Sequence, residues 1–147
     1  MLRLTQEADD ALRIVWLLAH APDFEDAGSL AQRAGIAPRF ALKILRKLRE
    51  GGVVESRKGS NGGYLLARSP DDITVLQILE MIDGPLHINR CLEEGYVCSR
   101  MGRQTGRCVV HRLFSELSGQ LAAQLSQITV SVLMQRDAAY IREHCSE

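Results

Sequence analysis

At 147 residues, with 46% hydrophobic and 24% charged side chains, the sequence has the size and balance of one ordinary globular domain. No apolar run is long enough to span a bilayer, and the opening MLRLTQEADD lacks the apolar centre of a secretory signal, so a cytoplasmic protein is expected. The net charge is zero but segregated: residues 39–68 hold Arg39, Lys43, Arg46, Lys47, Arg49, Arg57, Lys58 and Arg68 against Glu50 and Glu55, a local excess that steers a polyanion whatever the total is.

Residues 5–20 read as a first helix, because Ala8, Leu12, Val15, Leu18 and Ala19 recur at helical spacing and Ala21-Pro22-Asp23 ends the run. A short second helix, about Ser29 to Ala34, stops at Gly35, which tolerates a positive φ in a tight turn. Pro38 suits the first turn of a third helix, since its missing N–H has no partner there. That helix runs to about Glu50, ahead of Gly51-Gly52. Its inward stripe is Ala41, Ile44, Leu45 and Leu48, and its outward face shows Arg39, Lys43, Arg46 and Lys47. Two short strands follow, about Val53 to Arg57 and Tyr64 to Ala67, joined by a tip of hairpin residues, Lys58-Gly59-Ser60-Asn61-Gly62-Gly63. The pattern predicts a mainly α fold, a winged helix-turn-helix with a β-hairpin wing.

Ser69-Pro70-Asp71-Asp72 is expected to open a fourth helix with Val75, Leu76, Leu79 and Ile82 inward, closed by Asp83-Gly84-Pro85. Beyond a loop at about 86–108, Val110, Phe114, Leu117, Leu121, Leu125, Ile128 and Val132 step by threes and fours, the seam of one long C-terminal helix. Nothing in a small domain is evident to cover that seam, so a homodimer is expected. Its twofold symmetry would set two recognition helices on a palindromic operator. The chain therefore divides into a winged helix-turn-helix domain (1–84), a cysteine-rich cluster-binding loop (85–108), a dimerisation helix (109–136) and a tail (137–147).

Double-stranded DNA is the expected partner, and no membrane is. Residues near the start of a recognition helix reach base edges, which points to Arg39 for a bidentate contact with guanine, with Phe40 counted beside it. Lys43, Arg46 and Lys47 are expected on phosphates, and Arg57 or Lys58 in the minor groove with Asn61 close by. An enzyme is not expected: the sequence shows no phosphate-binding Gly loop, no nucleophile motif and no paired carboxylates in a credible pocket.

Three of the four cysteines fall in one loop as Cys91-x6-Cys98-x9-Cys108, interspersed with Gly95, Gly102 and Gly106 and flanked by Arg90, Arg100, Arg103, Arg107 and Arg112. Thiolates hold iron–sulfur clusters, a glycine-bearing loop lets several converge, and the arginines offset the negative charge. A Cys₃His zinc site through Cys108 and His111, or a disulfide formed under oxidation, is also open to these residues. Trp16 reads as core, His20 and His87 as helix-end residues, and Cys145 as part of the tail without a ligand role.

The chain resembles, from end to end, the IscR/NsrR/RirA family of iron–sulfur transcription regulators. The resemblance lies in Leu4-Thr5 with Asp9-Asp10-Ala11-Leu12-Arg13, in Ser29-Leu30-Ala31, Gly35-Ile36 and Pro38-Arg39-Phe40, in Lys43 to Leu48, in the wing Gly59 to Arg68, and in the three-cysteine loop. It implies that Cys91, Cys98 and Cys108 ligate one 4Fe-4S or 2Fe-2S cluster per subunit. Two residues match the family's further ligand: Asp9, which would reach the cluster of the other subunit, and His111. An i,i+4 pair with Arg13 is the plain alternative for Asp9. An aspartate opening an otherwise apolar helix is the less expected feature, so the reading leans to Asp9. The sequence departs from the family in its long second cysteine gap and in Ala37, where a capping serine is common. The expected function is a transcription regulator that senses nitric oxide, redox state or iron and cluster supply. The alternatives are a zinc-stabilised DNA-binding module and a cluster-carrying redox protein.

Overall fold

The computed structural model describes residues 4–102 and 105–144. Thr5 opens α1 (Gln6–Ala19), its hydroxyl oxygen accepting from the Ala8 N–H at 3.1 Å, and Ala8, Ala11, Ile14, Val15, Leu17 and Leu18 are buried along the helix. Asp26 caps α2 (Ala27–Ala34) by accepting from the N–H groups of Gly28 and Ser29. Gly35 ends α2 at φ 70°, and the Ile36 N–H reaches back to the Ala31 carbonyl, which turns the chain into α3 (Pro38–Glu50). Ala37 gives α3 no side-chain cap, so the helix starts on Pro38 alone. Its expected inward stripe is in place: Ala41, Ile44, Leu45 and Leu48 are all buried.

The wing is β1 (Val54–Arg57) paired antiparallel with β2 (Gly63–Leu66), Val54 opposite Leu66 and Arg57 opposite Gly63. Glu25 and Tyr64 exchange two backbone hydrogen bonds of 2.9 Å, so the segment before α2 lies along β2. That approach dictates Gly63. Its φ is 143°, and a Cβ there would fall inside contact distance of the Glu25 carbonyl.

Two expectations about the second half are corrected. Ser69 to Asp72 do not open the fourth helix; Pro70–Asp72 form a single 3-10 turn, and α4 (Val75–Asp83) starts later on a capping box between Thr74 and Gln77. The long helix over 109–136 is also divided, into α5 (Val109–Ser126) and α6 (Val130–His144). Each break explains the other. The Val75 N–H donates to the Ile128 carbonyl at 2.8 Å and the Val130 N–H to the Ile73 carbonyl at 2.9 Å, so both extended stretches pair with each other instead of continuing as helix.

The fold-back also divides the expected seam. Leu125 and Ile128 of the seam pack against this chain's own core, joined by Leu133 and the fully buried Val130, which the seam did not include. Of the seam residues on α5, Val110 and Leu117 stay open at 50% and 40% exposed, flanked by Val109 at 69% and Leu113 at 50%, while Phe114 and Leu121 are half-buried. Among the described residues no helix is long and apolar enough to cross a membrane.

Gly63→Ala is expected to lower the unfolding free energy by about 2 kcal/mol, because it combines a disfavoured φ with a clash against a hydrogen-bonded strand. Urea unfolding of the variant checks this, and an unchanged midpoint contradicts it.

Candidate nucleic-acid interface and cysteine pocket

The loop after α4 is anchored on local caps. Asn89 accepts from the Cys91 N–H at 3.1 Å and opens the 3-10 turn Arg90–Leu92. Cys98 and Gly102 exchange backbone hydrogen bonds of 3.1 and 2.8 Å, closing a tight turn around the second cysteine. Inside that turn the N–H groups of Arg100 and Met101 point at the Cys98 sulfur and hold its thiol below the ordinary value; the Arg100 charge adds a smaller pull, and desolvation opposes both. Cys108 is the N-cap residue of α5 and makes no side-chain capping bond. The Ile88 N–H donates to the buried hydroxyl of Ser118 at 3.2 Å, which fastens the loop to the middle of α5.

These anchors bring Cys91, Cys98, Cys108 and His111 to the wall of one pocket of about 260 Å³, together with Asn89 and Arg100. All three cysteines are free thiols. The Nδ1 atom of His111 is buried with no hydrogen-bond partner among the described residues. Three thiols, an imidazole and a cationic neighbour are the kinds of group that an iron–sulfur cluster takes, so the lining fits it in donor chemistry. Among the described residues no three such side chains meet at metal-ligating distance, so the site is a lined pocket and not a closed cage. Asp9 does not line it. Its carboxylate pairs with Arg13 at 3.0 Å, with both side chains about half exposed or more. Cys145 and Arg103 lie outside the described residues.

The basic face is sorted by what each cation touches. Arg39 and Lys58 are exposed and make no hydrogen bond or ion pair among the described residues. Arg46 pairs loosely with Glu50 at 2.9 Å while 76% exposed. Arg57 was expected in a groove, yet its guanidinium lies 4.1 Å over the Phe24 ring and donates to the Asn61 carbonyl at 2.7 Å. It shapes the wing, with the Asn61 side chain exposed at the tip. Lys47 was expected outward but is partly buried, with Nζ 2.7 Å from Glu7 Oε1 and 3.3 Å from the Ile82 carbonyl. Lys43 donates to Glu7 Oε2 at 2.8 Å. Phe40 is 62% exposed and borders Gln6, Glu7 and Asp10.

Glu7 is the residue that sequence reading missed. One carboxylate on α1 joins two lysines of α3, and Lys47 passes the connection to the end of α4. Two residues earlier, Thr5 Oγ1 donates to Asp83 Oδ1 at 2.6 Å, tying the α1 cap to the same α4 terminus. The Lys47 contact with Glu7 Oε1 is a short ion pair whose direction falls outside a well-formed hydrogen bond. Lys43 and then Lys47 hold the Glu7 carboxyl below its ordinary value, with desolvation opposing. A depressed carboxylate contributes stability that is present above its unfolded value and lost as pH falls through the folded one. Glu7→Gln is therefore expected to be less stable than the parent chain at neutral pH, with the gap closing on acidification below the usual carboxylate range. Urea unfolding at a series of pH values measures this, and a gap independent of pH contradicts it.

A family model described as Rrf2, iron-dependent transcriptional regulator, matches residues 4–136. The HTH-type transcriptional regulator IscR of Pectobacterium carotovorum subsp. carotovorum is 32% identical over 106 residues, which are 71% of this chain and 61% of that protein. The chain thus spans less than two thirds of the length of that relative. Among solved structures, CymR, the global cysteine regulator of B. subtilis, aligns with a TM-score of 0.71 at 25% identity over 92% of this chain and 98% of its own. IscR of T. potens, at 21% identity, shares the fold with a TM-score of 0.70 over 92% and 88%. The family match runs from just before the α1 cap into α6, through recognition helix, wing and cysteine loop alike, and the chain belongs to the Rrf2 family of transcriptional regulators.

Proposed function

We propose that this chain is a homodimeric, DNA-binding transcription regulator whose operator affinity responds to an iron–sulfur cluster held by Cys91, Cys98, Cys108 and His111. The observation that carries the proposal is the shared pocket: Cys91, Cys98, Cys108 and His111 all line it, and the buried His111 Nδ1 has no hydrogen-bond partner among the described residues. His111 is preferred to Asp9 as the further ligand because Asp9 is engaged by Arg13 on an exposed helix face. When bound, such a cluster supplies iron that reacts with nitric oxide or oxidants and that depends on iron supply.

The chain's own residues supply the rest. Arg39, near the start of α3, would meet a base edge, with Arg46 and Lys58 on phosphates and Lys43 joining them by exchanging Glu7 for a phosphate. Arg57 and Lys47 position the wing and α3. A second copy of the chain is the occupant of the open stripe Val109, Val110, Leu113 and Leu117, since a regulator with one recognition helix per subunit reads a palindrome only in pairs. The cysteine loop leaves α4 at Gly84, next to Asp83, and enters α5 at Cys108. A change in the loop therefore acts on the helix terminus that Thr5 and Lys47 hold, and through Glu7 on α3.

Anaerobic purification with iron, sulfide and zinc assays tests the proposal. A brown protein with matching iron and sulfide is expected. His111→Ala should lose at least about tenfold in cluster retention, and Asp9→Ala should keep the parental content. A colourless protein with stoichiometric zinc contradicts the sensing role, and loss of the cluster in Asp9→Ala but not in His111→Ala overturns the ligand assignment.

A further inference from the structure

We infer that Leu42 reads a thymine in the operator, through the 5-methyl group that thymine presents in the major groove. The inference rests on the DNA-binding reading above and adds a specificity residue to it. Leu42 is 48% exposed on α3, although the other leucines of that helix, Leu45 and Leu48, are fully buried. It stands three residues after Arg39 and four before Arg46, so helical spacing puts it at the edge of the outward, cationic face. About half of the side chain therefore stays outside the core.

Its surroundings choose the occupant. Phe40, the other large exposed apolar residue of α3, falls on the opposite flank of the helix, against Gln6, Glu7 and Asp10 of α1. Leu42 therefore has no contiguous apolar patch on α3, and a protein partner would need one to desolvate its centre. A DNA duplex matches both parts of the surface: phosphates meet the cations, and a methyl group meets the isobutyl side chain. Leucine neither donates nor accepts a hydrogen bond. Of the groups on the major-groove base edges, the thymine methyl alone is apolar. The amino group of cytosine placed under Leu42 would be desolvated without a partner, which turns the contact into discrimination. Phe40 is the weaker candidate, because it leans toward Gln6, Glu7 and Asp10 of α1, away from the flank that carries Leu42.

The test starts from sites selected out of a random-sequence duplex library by the full-length, anaerobically purified protein. Each thymine of the selected site is then replaced by deoxyuridine, which removes the methyl group alone. At fixed salt, one thymine in each half-site should show about a fourfold loss of affinity, the effect of one buried methyl group. Leu42→Ala, altered at a half-exposed position, should bind the thymine and deoxyuridine versions of that site equally. Methyl sensitivity retained in Leu42→Ala, or no thymine at which the methyl matters to the parent protein, overturns the inference and leaves DNA binding standing. A library that yields no enriched site overturns the DNA-binding reading and this inference with it.

Discussion

One carboxylate joins the recognition helix to two of the helices it packs on. Glu7 on α1 sits within 2.8 Å of Lys43 and 2.7 Å of Lys47, and Lys47 in turn reaches the last turn of α4. Isolated ion pairs at a surface contribute only about 0–1 kcal/mol, so the importance of Glu7 is not the strength of a pair. It lies in where the three groups come from. Apolar packing of Ile44, Leu45 and Leu48 presses α3 onto the core, and the ion pairs link its edge to α1 and α4. The same contacts divide the basic surface: Lys47 is drawn inward, and Arg39 and Lys58 remain uncommitted among the described residues.

The cysteine loop is attached to this assembly at a helix end. Asp83 closes α4 and receives two hydrogen bonds from Thr5, whose side chain also caps α1. From Gly84 the chain runs through the Cys98 turn to Cys108, where α5 begins, and Ser118 fastens the loop to α5 on the way. Loop and recognition helix are thus joined by a short, continuous set of polar contacts. Such a chain of contacts is a physical candidate for coupling; the coupling itself is a difference in affinity between two states.

The parts of this fold that were legible in the sequence are those set by local chemistry. Pro38, the stripe Ala41, Ile44, Leu45 and Leu48, and the helix-ending Gly35 place α3 without help from the rest of the chain. The break at Gln127 to Thr129 was not legible, because the apolar spacing continues through it and the backbone partners at Ile73 and Val75 lie more than fifty residues away. For the same reason the pairing of Glu7 with Lys43, and the stacking of Arg57 on Phe24, have no signature in local spacing. That Cys91, Cys98 and Cys108 share one loop was legible in the sequence, and the fold adds that they line one pocket. Two features around the candidate further ligands needed three dimensions: Asp9 pairs with Arg13 on an exposed helix face, and His111 Nδ1 is buried with no hydrogen-bond partner among the described residues.

The central claim is that the state of the cysteine loop is read at the recognition helix. Its most direct test is operator affinity, measured for cluster-loaded and cluster-free protein at a single fixed salt concentration, since salt alone shifts such affinities by orders of magnitude. The account predicts at least about a fivefold difference between the two states in the parent chain, and a ratio near one in Glu7→Gln. Equal affinities of the two states in the parent chain would contradict it.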